Sequence, residues 1–134
     1  MNFYIASGLQ NRNPVRKVAQ ALSAFGLEHT YDWTQNQRGT TLEMHKRVGE
    51  AERAAIVKSD FVVVILPGGK GTHTEFGMAL GLGKRIYVYS ETDDINDPTT
   101  TTNFYHISGV TKFIGELDEL IAFILENESS ELIS

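Results

Sequence analysis

Short apolar runs alternate along this chain with stripes of apolar residues at every third or fourth position, the rhythm of strands followed by amphipathic helices. The first run, "NFYIAS", reads as a strand. Asn13 follows as a helix cap with Pro14 at the first helical position, and Val15, Val18, Ala19, Leu22 and Phe25 fall on one face before Gly26 ends the helix. "LEHTYDW" fits a second strand and the polar "TQNQRG" a loop. Thr40 and Glu43 stand in the capping-box relation at the head of a second helix that runs to about Ser59. "DFVVVILP" is apolar throughout, which marks a central strand covered on both faces. A third helix spans about Thr72 to Leu82, Gly83 closes it, and "RIYVYS" is a fourth strand. "ETDDINDPTTTTN" lacks periodicity and is rich in turn formers, so it is a long loop, and a fifth strand lies within "GVTKFIG". A last helix from Leu117 to about Asn127 turns Leu117, Leu120, Ile121, Ile124 and Leu125 inward, and the tail "ESSELIS" is expected to fray. The alternation predicts a single α/β domain over residues 1–134, built on a parallel sheet with helices on both faces.

Composition agrees with one compact core: 134 residues are 41% hydrophobic and 10% aromatic. The net charge of -5, with the cations scattered, argues against extended DNA or RNA as a partner. Without cysteine there is neither a disulfide framework nor a thiolate metal site. The opening "MNFYIASGL" lacks the charged and apolar regions of a signal peptide, and the longest apolar run, Phe61 to Leu66, falls short of the roughly 20 residues a membrane helix needs. A cytoplasmic protein that does not enter membranes is the expectation.

In an open parallel sheet the ligand crevice lies beyond the carboxyl ends of the strands. That rule selects Ser7, Gly8, Gln10, Asn11 and Arg12 after strand 1, Asp32 and Trp33 after strand 2, and Gly68, Gly69, Lys70, Gly71, Thr72 and Glu75 after strand 3. The glycines lead into a helix start, where free amides suit an anion or a sugar hydroxyl. Neither nucleotide-binding fingerprint is present. "GMALGLGKR" lacks the P-loop spacing and its Ser or Thr, and "GGKGTHTE" puts Thr where a dinucleotide fold needs its third glycine. His29, His45, His73 and His106 form no HExxH-type pair, so no metal site is expected.

Glu75 has two readings. With Thr72 it forms an S/T-x-x-E pair, which capping alone would explain; as a first-turn carboxylate beside glycines it is also placed to attack an electrophilic carbon. Glu52 shares its side of the second helix with Val48, Ala55 and Ile56, so it points toward the sheet, as a structural ion pair or as a second acid in the crevice. Tyr4 reads as a core aromatic with its hydroxyl at the sheet end, and Trp33 as packing or a stacking surface for a base.

The segments "FYIASGLQNR", "TYDWT", "SDFVVVILPGG" and "GTHTEFGMALGLGKRIYVY" resemble the nucleoside 2-deoxyribosyltransferase family and its deoxynucleotide N-hydrolase relatives. The most specific part is the G-T-x-x-E-x-G-x-A-x-x-x-G-K block, whose Glu the resemblance makes a nucleophile at Glu75. It further implies that Tyr4 orients Glu75 and that Glu52, where Asp is usual, serves the leaving base or the sugar. At position 69 the transferases often carry Asp and the hydrolases Ser; this chain has Gly69. "PGGKGTHTE" is also similar to the signature of the cytokinin-activating phosphoribohydrolases.

Both resemblances imply a flavodoxin-like α/β fold, a three-layer sandwich around a five-stranded parallel sheet, acting at an N-glycosidic carbon of a nucleoside or nucleotide. They imply no cofactor, and they imply a homo-oligomer. Ser7, Gly8, Arg12, Asp32, Trp33 and Gly68 to Thr72 are the expected substrate contacts. Hydrolysis of NAD-like dinucleotides, and a nucleotide-binding module without turnover, are the alternatives.

Overall fold

The computed structural model describes residues 1–133, with side chains through residue 129. Five parallel strands, β1 (Asn2–Ser7), β2 (Glu28–His29), β3 (Phe61–Ile65), β4 (Arg85–Ser90) and β5 (Val110–Ile114), lie in the order β2-β1-β3-β4-β5. Four helices accompany them: α1 (Arg12–Ala24), α2 (Leu42–Lys58), α3 (Lys70–Gly81) and α4 (Leu117–Ile133). Helix α1 packs with α4 and α2 with α3. Right-handed crossovers place these pairs on opposite faces of the sheet, so the three-layer flavodoxin-like sandwich stands.

Burial follows position in the sheet. All five residues of β3 are buried, as its unbroken apolar run requires of a strand covered on both faces. Strand β5 forms one edge, and its Thr111 and Lys112 are exposed, which blunts that edge against pairing with another chain. Strand β2 forms the other edge and has only two residues, far fewer than "LEHTYDW" suggested, because Asp32 starts a short 3-10 turn over Trp33–Gln35. The long connection from β4 to β5 is also organised by 3-10 turns, at Asp93–Asn96 and Asn103–Tyr105.

Helix starts differ from expectation by one to three residues. A 3-10 turn over Leu9–Asn11 runs straight into α1, so Asn11 and not Asn13 is the cap residue, and Pro14 sits in the first turn, where its missing N–H costs no helical bond. The α2 cap is Thr41, whose hydroxyl accepts from Met44 N at 3.1 Å, instead of Thr40. Helix α3 begins at Lys70, with Gly69 as a cap that has no side chain to offer. Phe25 lies beyond the last turn of α1 and is 71% exposed, off the core face it was assigned to.

The expected fraying tail is helical instead, to the end of α4 at Ile133; Ser134 lies outside the described residues. Glu128 anchors it. That carboxylate is buried against the sheet, accepting from Arg85 Nη2 at 2.6 Å and from the Tyr87 hydroxyl at 2.5 Å. Among the described residues no helix is long and apolar enough to cross a membrane.

Candidate active site

Strand order reverses between β1 and β3, since their following helices leave toward opposite faces, and a cleft of about 770 Å³ opens at the carboxyl end of that junction. The two strand ends are tied together. Ser7 Oγ donates to the Ile65 carbonyl at 2.6 Å, and Asn11 Nδ2 donates both to Ser7 Oγ at 3.0 Å and to the Pro67 carbonyl at 2.9 Å. With its side chain so engaged, Asn11 holds the cap position of α1 but makes no side-chain bond to the helix amides.

Tyr4 lies in the middle of β1, paired in register with Val62 and fully buried. Its hydroxyl stands 2.6 Å from Glu75 Oε2, contributed by α3, and 2.9 Å from Glu52 Oε2, contributed by α2. A phenol has one hydrogen to give, yet two carboxylates lie within bonding distance of it. The second bond is completed when one carboxyl carries a proton. Glu75 is pushed toward its protonated form: burial raises its pKa first, the Glu52 charge second, and a hydrogen bond with Glu52 adds to both. The Tyr4 donor pulls the other way, and the balance leaves Glu75 pushed up to about 8 from an ordinary 4.5. Burial and the two carboxylates push the Tyr4 hydroxyl far above its usual range, so it stays protonated.

Capping does not account for Glu75. The cap of α3 is Gly69, Thr72 is buried inside the first turn, and the Glu75 carboxylate is engaged with Tyr4 in place of the helix amides. Glu52 occupies the inward side of a helix in which only Ala55 and Ile56 are buried, and its partner is a tyrosine and not a cation.

Ser7, Gly8, Glu52, Gly69, Lys70, Gly71, Thr72 and Glu75 all line this cleft. Four other expected contacts do not. Trp33 is buried and its indole N–H donates to the Ile5 carbonyl at 2.7 Å, so it is a core residue. Asp32 is occupied locally, accepting from Thr34 N at 3.0 Å, from the Thr34 hydroxyl at 2.5 Å and from Gln35 Nε2 at 3.2 Å. Those bonds draw its carboxyl below the usual range against a burial effect that raises it. Arg12 Nη2 donates to the Asn36 carbonyl at 3.1 Å, fastening the loop after β2. Gly68 lines a separate cleft of about 400 Å³ between α3 and the β4–β5 connection, and a Cβ there would meet the Thr72 side chain at 2.5 Å.

Sequence reasoning passed over Arg38, Gly49, Thr74 and Met78, which also line the main cleft. For Thr74 and Met78 a signal existed, since they lie one helical turn from Lys70 and Glu75 on α3. Arg38 comes from an aperiodic loop and gave none.

Among solved structures, the chain is similar to the CMP N-glycosidase of Clostridium botulinum, with a TM-score of 0.64, 17% identity, and 92% of this chain and 98% of that one covered. A 2-deoxyribosyltransferase from the psychrotolerant bacterium Bacillus psychrosaccharolyticus matches with a TM-score of 0.69 and 19% identity, over 90% of each chain. At these identities the two structures show a shared fold. No curated protein matches the chain. The family model for nucleoside 2-deoxyribosyltransferases matches residues 3–119, nearly the whole domain, and the chain belongs to the nucleoside 2-deoxyribosyltransferase family.

Proposed function

We propose that this protein cleaves or transfers the N-glycosidic bond of a nucleoside or nucleotide, with Glu75 as the nucleophile. The observation that carries this reading is the pair of carboxylates held by one buried hydroxyl at the floor of the cleft. Two carboxyl groups with one proton between them can work as a nucleophile and an acid at the same time.

The chemistry balances as follows. The proton on Glu75 passes to Glu52, leaving an ionised Glu75 oriented by Tyr4. The Glu75 carboxylate attacks the anomeric carbon, the carbon–nitrogen bond breaks, and its electron pair leaves with the base, which takes the proton from Glu52. A glycosyl ester of Glu75 remains. Water gives up a proton to Glu52 and attacks the anomeric carbon, the bond from that carbon to the Glu75 oxygen breaks to release the sugar, and return of the proton from Glu52 to Glu75 restores the starting state; a second base in the place of water completes a transfer. Two displacements at one carbon give net retention. None of these steps calls for a metal or an organic cofactor.

Incubation with nucleosides, their 5'-monophosphates and NAD, followed by chromatography of the released bases, tests the proposal. Base release that disappears in Glu75→Gln supports it. Adding a second free base separates transfer, which yields a new nucleoside, from hydrolysis, which does not. If wild-type protein releases base from none of these compounds, the reading fails.

A further inference from the structure

The chain is acidic overall, at -5, yet its cleft is bordered by two cations, Arg38 and Lys70. Among the described residues the ion pairs are Lys17–Asp118, Lys46–Glu50 and Arg85–Glu128, so neither cleft cation is in one. Arg12 and Arg16, by contrast, are engaged with Asn36 and Thr34 in the protein itself. Nor do Arg38 and Lys70 neutralise Glu52 and Glu75, which are held on the floor by Tyr4. Of those two acids, Glu75 is pushed toward its neutral form, chiefly by burial, which leaves less negative charge in the cleft to offset the two cations.

Position 69 bears on what an anion would meet. Resemblance to the family leads one to expect Asp or Ser there, and the chain has Gly69. Its φ of -95° is open to any residue, and a Cβ at Gly69 or Gly71 would meet nothing within 4 Å. Neither backbone strain nor a neighbouring atom in the protein requires these glycines. Both line the cleft without a side chain, and position 69 lacks the negative charge that Asp would bring. Lys70 and Glu75 stand five positions apart on α3 and both line the cleft, the lysine exposed and the carboxylate buried, so a sugar phosphate with its anomeric carbon at Glu75 would keep its charged end toward the exposed rim that holds the lysine.

We infer that the substrate is a nucleoside 5'-monophosphate in preference to the nucleoside, and that Arg38 and Lys70 are the pair that reads its phosphate. This rests on the N-glycosidic reading for the placement of the sugar. Two charge-assisted contacts from separate segments of the chain, the loop before α2 and the start of α3, fix the phosphate, and a neutral 5'-hydroxyl offers them no partner charge.

Turnover and binding together test it. For wild type, kcat/KM for 5'-monophosphates is expected to exceed that for the matching nucleosides by at least about 100-fold, the sum of two charge-assisted contacts. Arg38→Ala and Lys70→Ala should each cut that ratio about tenfold or more, and Gly69→Asp should cut it through repulsion. Raising ionic strength should weaken turnover of the monophosphate and leave the nucleoside indifferent. A wild-type ratio near one, or a ratio unmoved by both cation variants, overturns the inference while leaving the N-glycosidic reading in place. If neither compound releases base, that reading fails, and calorimetric titration of wild-type protein with the unreacted compounds decides the charge question. Monophosphate binding at least about tenfold tighter than nucleoside binding then upholds the phosphate pair. Equal affinities, or no binding by either compound, overturn it.

Discussion

The Tyr4 hydroxyl and Glu75 Oε2 lie 2.6 Å apart although 71 residues separate them in the chain. The sheet sets this distance: β1 and β3 run side by side, so a tyrosine in the middle of one strand reaches the first turns of the helix that leaves the other. The same hydroxyl meets Glu52 from α2, and the three groups share protons that none of them holds alone.

Replacing Glu75 by Gln keeps the shape and an acceptor for Tyr4 but removes the nucleophile. Turnover should fall by about three orders of magnitude or more, while substrate binding stays within about tenfold. Stopped-flow and equilibrium titration of the same preparation check both halves.

Stability should move with pH in a direction set by the raised Glu75. The folded chain holds that proton more tightly than the unfolded chain, so its contribution is fully present below the ordinary value of 4.5 and is lost as pH rises through about 8. Glu75→Gln lacks this loss. Its melting temperature relative to wild type should therefore be higher at pH 9 than at pH 5, as read by thermal melts across that range; a constant difference would show that Glu75 is not the group holding the proton.

The pH–rate profile separates Tyr4 from Glu52. A pair that works with one proton loses activity as pH rises through about 8. Tyr4→Phe removes the donor that lowers the Glu75 pKa, so this alkaline limb should move to higher pH, with kcat reduced about 10- to 100-fold. Glu52→Gln removes both the acid and the charge that raises Glu75, so Glu75 ionises at lower pH and the residual rate should increase with pH below about 8 instead of falling there. Identical profiles for the two variants would refute the shared proton.

The bareness of α2 motivates a test of assembly. Residues 42–54 of this helix include no buried side chain, and Leu42 is 89% exposed. Helices in proteins are stabilised mainly by packing an apolar face, so we expect a second copy to cover α2. Light scattering should give a multiple of 14.9 kDa, and Leu42→Glu should reduce the fraction assembled. A wild-type monomer at micromolar concentration would be the contrary result.

The Glu128 anchor should be worth measuring by denaturant unfolding. Glu128→Ala leaves the Arg85 and Tyr87 donors without their buried acceptor, at a cost of about 2–3 kcal/mol, toward the lower end for a buried pair because the Arg85 side chain is 41% exposed. Glu128→Gln should cost less, since it keeps one acceptor.

Much of this architecture is written in the period of the apolar residues. The β3 run and the β4 run are legible because a strand buried on both faces has no other way to look, and Gly26 and Gly83 mark helix ends because both take positive φ, at 89° and 70°. The inward side of α2 at Glu52 is likewise a matter of helical spacing. What the sequence hides is which of several polar neighbours a backbone amide or carbonyl will choose. Asn13 and Asn11 look alike as caps, as do Thr40 and Thr41, until the fold gives Asn11 another task at Ser7 and Pro67. Trp33 reads as a possible stacking surface until the Ile5 carbonyl, left over at the edge of β1, is seen to take its N–H. Arg38 is illegible for a different reason: its loop has no period, and only the folded chain brings it into the same cleft as Lys70.

The clasp of Ser7, Asn11 and Pro67 has a thermodynamic consequence of its own. Because two hydrogen bonds already join the ends of β1 and β3, and a third from Asn11 to Ser7 braces them, the cleft walls at this junction keep their separation before any ligand arrives. An incoming sugar then does not have to immobilise the strand ends, and the entropy that such ordering would remove is lost once, during folding, and not again at each turnover. The Tyr4 hydroxyl is likewise fixed against Glu75 in advance, so under the proposed mechanism charge that shifts from Glu75 would meet an environment with little left to rearrange.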